Sequence, residues 1–405
     1  MTAMLEREKD SKLPESNPGV YDRATVKTTA LTLLEYCRTH KWAGYDPYDA
    51  LNSRIFKAFR FLNSRLLRLA LTQGVKRCPF NLRPALSVPK SPNPKGIALF
   101  LSSLIKLSRM GLVCADEEIS EIADKLLALR SPGQPYFCWG YNFDWQTRAE
   151  FVPKEIPNII CSTFAAGSLL DLYEQSHEPS HLAAAVSAAE FIRDVLFWRE
   201  AGRKACFSYT PLGRTEIHNA NLLGAALLCR VSRVTGESSF IRPALDATRY
   251  SVARQHPDGS WDYGQSPNQQ WIDNFHTGYN LIALKQIQEH AGADEWSEFL
   301  RKGLEFYTGH FFRQDGAPRY FHDATYPVDI HSISQSIITL VAFGDSAEEN
   351  IPLAHSIFKW AMDHMWDKRG FFYFQKHRGY TIRIPFMRWS EAWMLMAISD
   401  LLETR

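Results

Sequence analysis

Two stretches decide the architecture: IHNANLLGAALLCRV at residues 217–231 and DNFHTGYNLIALKQI at 273–287. Each opens on polar residues and continues with Ala, Gly, Leu and Ile on most of its faces, the pattern of a helix buried on several sides. Similar stretches occur at PNPKGIALFLSSLIKL (92–107), IPNIICSTFAAGSLLDLY (156–173), DIHSISQSIITLVAF (329–343) and MRWSEAWMLMAISDLL (387–402). Starts placed at Asn93, Asn158, Asn219, Phe275, His331 and Trp389 are 65, 61, 56, 56 and 58 residues apart. A period of about sixty residues holds two helices of roughly fifteen to eighteen residues and two loops.

The intervening helices carry charge on one face: ATVKTTALTLLEYCRTH, DEEISEIADKLLALR, HLAAAVSAAEFIRDVLFW, SFIRPALDATRYSVARQ, EWSEFLRKGLEFYTGHF and IPLAHSIFKWAMDHMW. They read as outer helices. Six outer and six inner helices are the number at which rings of such hairpins close in known toroidal families, which implies a closed ring; TPR or HEAT solenoids repeat every ~34 to 47 residues and lack these long aromatic loops. The expectation is therefore all-α: a single (α/α)6 toroid over residues 21–405 with short β-hairpin-like loops at one mouth. Residues 1–20 read as a disordered or extended arm. The stretch from about Ser53 to Gly74 reads as an extra helix outside the count, followed by a Pro-rich connector to Pro94.

Composition narrows the function. Forty-six Lys plus Arg against forty-four Asp plus Glu leave a net charge of +2 with no basic block, which argues against nucleic acid as a partner. The first nineteen residues are charged, with no apolar run, and no later stretch reaches eighteen apolar residues. The expected location is the cytoplasm, without membrane insertion. Seven cysteines, odd in number and far apart, show no metal-ligand spacing, so no metal or cofactor is expected. Oligomeric state leaves no mark in the sequence.

In a ring of hairpins the inner helices run the same way, so their N-termini and preceding loops meet at one mouth. Collected there are Lys95, Asn158, His218, Asn219, Asp273, His276, Asp329, His331, Arg388, Trp389 and Glu391. The loops bring Trp42, Tyr45, Asp46, Asp49, Trp139, Tyr141, Tyr209, Trp261, Asp262, Tyr263 and Tyr326. Aromatic faces stack on pyranose rings while short polar side chains pair with hydroxyls, so the set suits an oligosaccharide. N-capping accounts equally well for Asn158, Asn219 and Asp273, but not for the three histidines. Glu391, three residues after Arg388, is either paired with it or catalytic.

This architecture resembles the (α/α)6-toroid group of carbohydrate-active proteins, which includes glycoside hydrolases, unsaturated-glucuronyl hydrolases, polysaccharide lyases and sugar epimerases. DNFHTGYNLIALKQI looks like the helix after the catalytic loop in uronate epimerases, and the whole chain resembles toroids of bacterial exopolysaccharide biosynthesis. RQHPDGSWDYG, with Gln255, Gly259 and Trp261, is similar to the QW motif of terpene-cyclase and prenyltransferase-like toroids, in a single copy.

What the resemblance implies is a hydrolase, lyase or epimerase acting on a neutral or uronic-acid oligosaccharide. A glycosidase needs two carboxyl groups flanking the bond, for which Asp262, Asp273, Asp329 and Glu391 are candidates. A lyase or epimerase needs a base (His276, His331, Tyr263 or Tyr326) and a cation (Arg388 or Lys95) to hold the charge that develops. The alternatives are a non-catalytic toroid that grips a glycan or a partner, and terpene chemistry.

Overall fold

The computed structural model describes residues 22–59, 64–147, 150–200 and 204–404; the expected N-terminal arm, residues 1–20, lies outside the described residues. Inner helices α4 (Pro94–Arg109), α6 (Ile159–Ser176), α8 (His218–Thr235), α10 (Asn274–Ala291), α12 (Ile330–Ala342) and α14 (Trp393–Glu403) alternate with outer helices α1 (Arg23–Thr39), α5 (Asp116–Ala128), α7 (Pro179–Phe191), α9 (Ile241–Val252), α11 (Ser297–His310) and α13 (Asn350–Met365). Each inner helix packs on its neighbours in order, and α14 packs on α4. Outer helices lie against the inner helix that precedes them; α1, with none before it, lies against α14.

Closure is stitched by polar contacts between the chain's two ends. Arg23 donates to the Thr404 carbonyl at 3.0 Å, and Lys106 on α4 pairs with Asp400 on α14. A ring has no open edge, so the apolar face that a solenoid must cap is buried here by the first and last hairpins. The core is continuous around it, from Leu33 and Leu104 through Leu169, Leu228, Leu284 and Ile337 to Leu395.

The inner helices begin within a few residues of the positions set by the repeat, because side-chain caps stop them there. Asn93, Asn158, Asp273 and Asp329 each accept a backbone N–H in the first turn of α4, α6, α10 and α12. α8 and α14 depart from this pattern: α8 has no side-chain hydrogen bond at its N-cap Ile217, and α14 is preceded by a π-helical turn over Met387–Ala392.

Two local expectations are corrected. The extra helix is two, α2 (Arg54–Ala58) and α3 (Arg65–Arg77). The outer helix expected to run to Trp198 ends at Phe191 in a π-helical turn, Ile192–Leu196. Phe197 and Trp198 instead enter a strand, where β-propensity and cross-strand packing of Phe197 on Phe207 outweigh the helical pattern.

Short antiparallel strands decorate the mouth formed by the inner-helix N-termini. β1 (Trp145–Gln146) pairs with β2 (Phe151–Val152), β3 (Phe197–Glu200) with β4 (Lys204–Phe207), and β6 (Trp366–Asp367) with β7 (Phe371–Phe372). β5 (Val328–Asp329), β8 (Gln375–Lys376) and β9 (Thr381–Ile382) make a three-stranded sheet. No helix among the described residues is long and apolar enough to cross a membrane.

Candidate active site

The barrel is open at both ends and closed in the middle. At the C-terminal mouth a cavity of about 470 Å³ is lined by Leu99, Ile105, Leu227 and Ile338. Its rim charges are already paired, Arg230 with Asp171 and Glu174, and Lys106 with Asp400. At the N-terminal mouth a cavity of about 480 Å³ gathers Lys95, Tyr141, Tyr209, Asn219, Tyr263, Asp273, His276, His331, Arg388 and Trp389. Tyr279 borders both. The second cavity holds two histidines and six tyrosines beside Lys95, Asp273 and Arg388, and inner-helix N-termini surround it with partial positive charge that favours an anionic ligand.

Asp273 and His276 form its sharpest feature. Asp273 Oδ1 accepts the His276 backbone N–H at 3.0 Å, closing the first turn of α10, while Oδ2 meets His276 Nδ1 at 2.8 Å. Trp271 Nε1 donates to the same Oδ2 at 2.8 Å. The imidazole is thereby oriented, and its Nε2 is left for the cavity. Beside it Tyr263 and Trp271 stack at 4.6 Å and 13°, an apolar platform of the kind a sugar face covers.

Arg388 is buried and held by Asp46, Nε to Oδ2 at 2.6 Å. Burial works against its charge, but Asp46 more than offsets this and keeps the guanidinium firmly protonated. Asn219 lies inside the first turn of α8 rather than at its cap, and its Oδ1 has no partner among the described residues.

His331 is buried by Phe275 and Trp393, whose rings stack on it at 4.6 Å each. Its Nε2 meets Tyr279 Oη at 2.6 Å, its Nδ1 has no partner, and burial, then Lys95 and Arg388, push its pKa well below the usual value. It is a neutral group of the cavity lining that meets Tyr279.

Several expected site residues are turned elsewhere. Asp329 is fully buried, accepting from Gln375, Trp389 and the His331 backbone. Asp262 lies beside His256 at 3.4 Å. Glu391 neither pairs with Arg388 nor lines the cavity: in the π-helical turn Arg388 faces Asp46, whereas Glu391 accepts the Phe372 N–H at 3.0 Å and faces a small pocket beside Tyr36 and His40. Asp49 is spent on Arg83. His218 sits between Ser251 and Gln265, and Asn158 serves as a cap.

Aromatic residues divide in the same way. Trp139 and Trp261 are buried, donating to the carbonyls of Leu126 and Ser251. Trp42 packs on Phe100, and Tyr326 is on the surface. Tyr45 and Asp46 line a small pocket behind Arg388. The single QW-like copy is a structural clasp: Gln255 donates to Gly259 and Phe299, and Gly259 (φ 92°) leaves no room for a Cβ, which would meet the Lys302 carbonyl at 2.2 Å.

Trp271, Gln269, Phe275 and Tyr279 line the cavity without having been expected there. Tyr279 had a signal: it lies one helical turn beyond His276, so the two share a face of α10. Glu150, on the turn between β1 and β2, is the other carboxylate on the wall. No group of three or more His, Cys, Asp or Glu side chains among the described residues could hold a metal ion.

A ring of six helical hairpins with a polar, aromatic-walled cavity at the inner-helix N-termini is an (α/α)6 toroid of the kind found in carbohydrate-active proteins. Cellobiose 2-epimerase from Bacillus thermoamylovorans shares 11% identity at a TM-score of 0.61, over 77% of this chain and 88% of that one. A possible GH105 family member from Salmonella enterica aligns over 99% of both chains, with 11% identity and a TM-score of 0.61. An unsaturated glucuronyl hydrolase specific for heparin aligns over 94% of this chain and 96% of its own, with 11% identity and a TM-score of 0.59. At these identities the likeness is one of fold. No protein-family model matches the chain, and no curated protein matches it by sequence.

Proposed function

We propose that this protein is a carbohydrate-active enzyme that removes a proton beside the carboxylate of a uronic-acid residue in an oligosaccharide, as a lyase or epimerase does. The observation that carries this reading is the Asp273–His276 pair, whose imidazole faces the cavity with Nδ1 fixed by a carboxylate. Such an orienter sets the tautomer that lets Nε2 act as base. Arg388 supplies the cation that the substrate carboxylate and the developing enolate require.

Glycosidase chemistry has less support. Of the four carboxyl groups suggested for it, only Asp273 lines the cavity, and both its oxygens are engaged. A hydrolase would have to use Asp273 with Glu150. All seven cysteines are free, in keeping with a reducing compartment. We place the enzyme in the bacterial cytoplasm, in polysaccharide metabolism or biosynthesis.

The test is incubation with a panel of neutral and uronic-acid oligosaccharides, followed by mass spectrometry, absorbance in the unsaturated-uronate band and solvent deuterium uptake. Cleavage without water and with new absorbance identifies a lyase; deuterium uptake without mass loss identifies an epimerase. Gain of water would replace this reading with a hydrolase. Absence of every change would leave a glycan-binding toroid.

A further inference from the structure

At the closed middle of the barrel, three polar side chains from three inner helices meet among aromatic rings. Lys95 Nζ lies 3.3 Å from Tyr279 Oη, which lies 2.6 Å from His331 Nε2. Lys95 has no carboxylate partner among the described residues. Instead its Nζ faces the rings of Phe164 at 4.4 Å, Trp393 at 4.8 Å and Tyr279 at 5.2 Å. A buried lysine without a counter-ion is costly to maintain as a structural element alone.

We infer that Tyr279 is a second proton-transfer group of this site, with Lys95 as its proton reservoir and His331 as a positioning residue. The inference rests on the proposed proton-abstraction chemistry and adds to it a donor that the sequence did not single out. Tyr279 and His276 are one turn apart on α10 with ring centroids 6.1 Å apart, so they address different atoms of one bound sugar. Tyr279 is the deeper of the two, its hydroxyl already fixed at both ends.

Burial keeps the Tyr279 phenol protonated at rest, well above its ordinary range. It therefore acts first as an acid. Its O–H bond breaks as the proton passes to the substrate carbanion or leaving oxygen, and the electron pair remains on the phenolate. An N–H bond of the Lys95 ammonium then breaks to restore the phenol, leaving a free amine that solvent reprotonates through Tyr279. His331 cannot substitute, because its Nε2 is occupied by Tyr279 and its Nδ1 is enclosed without a partner.

The surroundings of Lys95 make both of its forms accessible. Aromatic faces favour the ammonium; burial, then Arg388, favour the amine and draw its pKa well below the ordinary lysine value, while Cys161 and Asp46 act in the opposite direction. His331 on α12 and Tyr279 on α10 complete the groups that face it.

Two measurements on the full chain test this. In the protein alone, carbon-13 NMR of lysine labelled at Cε should show one resonance, missing in Lys95→Met, that titrates well below the ordinary lysine range. Its midpoint should shift in Tyr279→Phe. A Lys95 resonance that titrates normally, or is indifferent to Tyr279→Phe, overturns the relay. With an oligosaccharide that is turned over, Tyr279→Phe and Lys95→Met should each lower kcat by about 100-fold or more with little change in KM, and Lys95→Arg, whose guanidinium keeps its protons, should not recover the loss; full recovery in Lys95→Arg would overturn the relay. If His276→Ala is inactive while Tyr279→Phe keeps full kcat, the relay is wrong and the site reading stands. If the wild-type protein turns over nothing, the site reading fails, and the titration alone decides the coupling of Lys95 to Tyr279.

Discussion

Asp273 serves His276 with both of its carboxylate oxygens, one closing the backbone turn at 3.0 Å and the other holding imidazole Nδ1 at 2.8 Å. Structure and chemistry are superposed on one side chain, and a single substitution separates them. Asn caps helices as well as Asp does, so Asp273→Asn should melt within about 1 kcal/mol of the wild type. It presents an amide where the imidazole needs a carboxylate, and kcat should fall by roughly 100-fold to 10,000-fold. Thermal melting beside steady-state kinetics checks both halves; a loss of activity explained wholly by unfolding would remove His276 from the mechanism.

Arg388 and Asp46 are an ion pair almost without solvent, their side chains 4% and 7% exposed. Arg388→Met leaves a buried carboxylate without its cation and should cost about 3–5 kcal/mol in urea unfolding. Adding Asp46→Asn should recover most of that stability while leaving the enzyme inactive. Recovery of activity in the double variant would show that Arg388 acts only on Asp46.

Trp271 forms the stacked platform with Tyr263 on the cavity wall. Trp271→Ala should weaken oligosaccharide binding about tenfold, which corresponds to about 1.4 kcal/mol, measured by calorimetry. Unchanged affinity would place the sugar on another wall.

Glu391 is buried with one hydrogen bond and no cation among the described residues, and burial raises its pKa well above the ordinary value. The native state therefore holds a proton that the unfolded chain releases near pH ~4.3. Stability from this group is full below that pH and is lost as pH rises toward the folded pKa. Glu391→Gln should raise Tm at pH 7 to 8, and the gain should vanish near pH 4. A uniform gain across that range would assign it to packing.

His218 has the opposite sign. Burial, with Arg254 and His256 nearby, draws its pKa down to about 3, so the native imidazole stays neutral where the unfolded one, near ~6.5, takes a proton. Its contribution is full above that value and is lost as pH falls, amounting to about 2 kcal/mol by pH 5. His331, lowered by burial as well, works in the same direction. Denaturant titrations should show the wild type weakening below pH 6.5 and His218→Gln weakening less steeply.

The hairpin repeat was legible in the sequence because its determinants are local. Inner helices are marked by apolar residues on most faces and by the caps Asn93, Asn158, Asp273 and Asp329, and a constant period follows from stacking equivalent units. Residues at the first turns of those helices had to converge, which is why Lys95, Asn219, His276, Arg388 and Trp389 were found together. Direction was a different matter. Trp139 and Trp271 are both loop tryptophans, yet one donates to the Leu126 carbonyl in the core and the other to Asp273 in the site.

What the sequence determined by itself was the hairpin repeat and the mouth at which chemistry gathers, since periodicity and capping act between residues a few positions apart; closure of the ring joins Arg23 to Thr404 across 381 positions. Only the tertiary structure decided which carboxylates and rings turn inward. Asp46 meets Arg388 across 342 positions, Tyr279 meets His331 across 52 and Lys95 across 184. These partners are chosen by the rotation of each helix against its neighbours and by the π-helical turn at Met387–Ala392, where Arg388 turns toward Asp46 and Glu391 toward Phe372. Packing around a closed ring sets those rotations jointly, and no short stretch of the chain contains them.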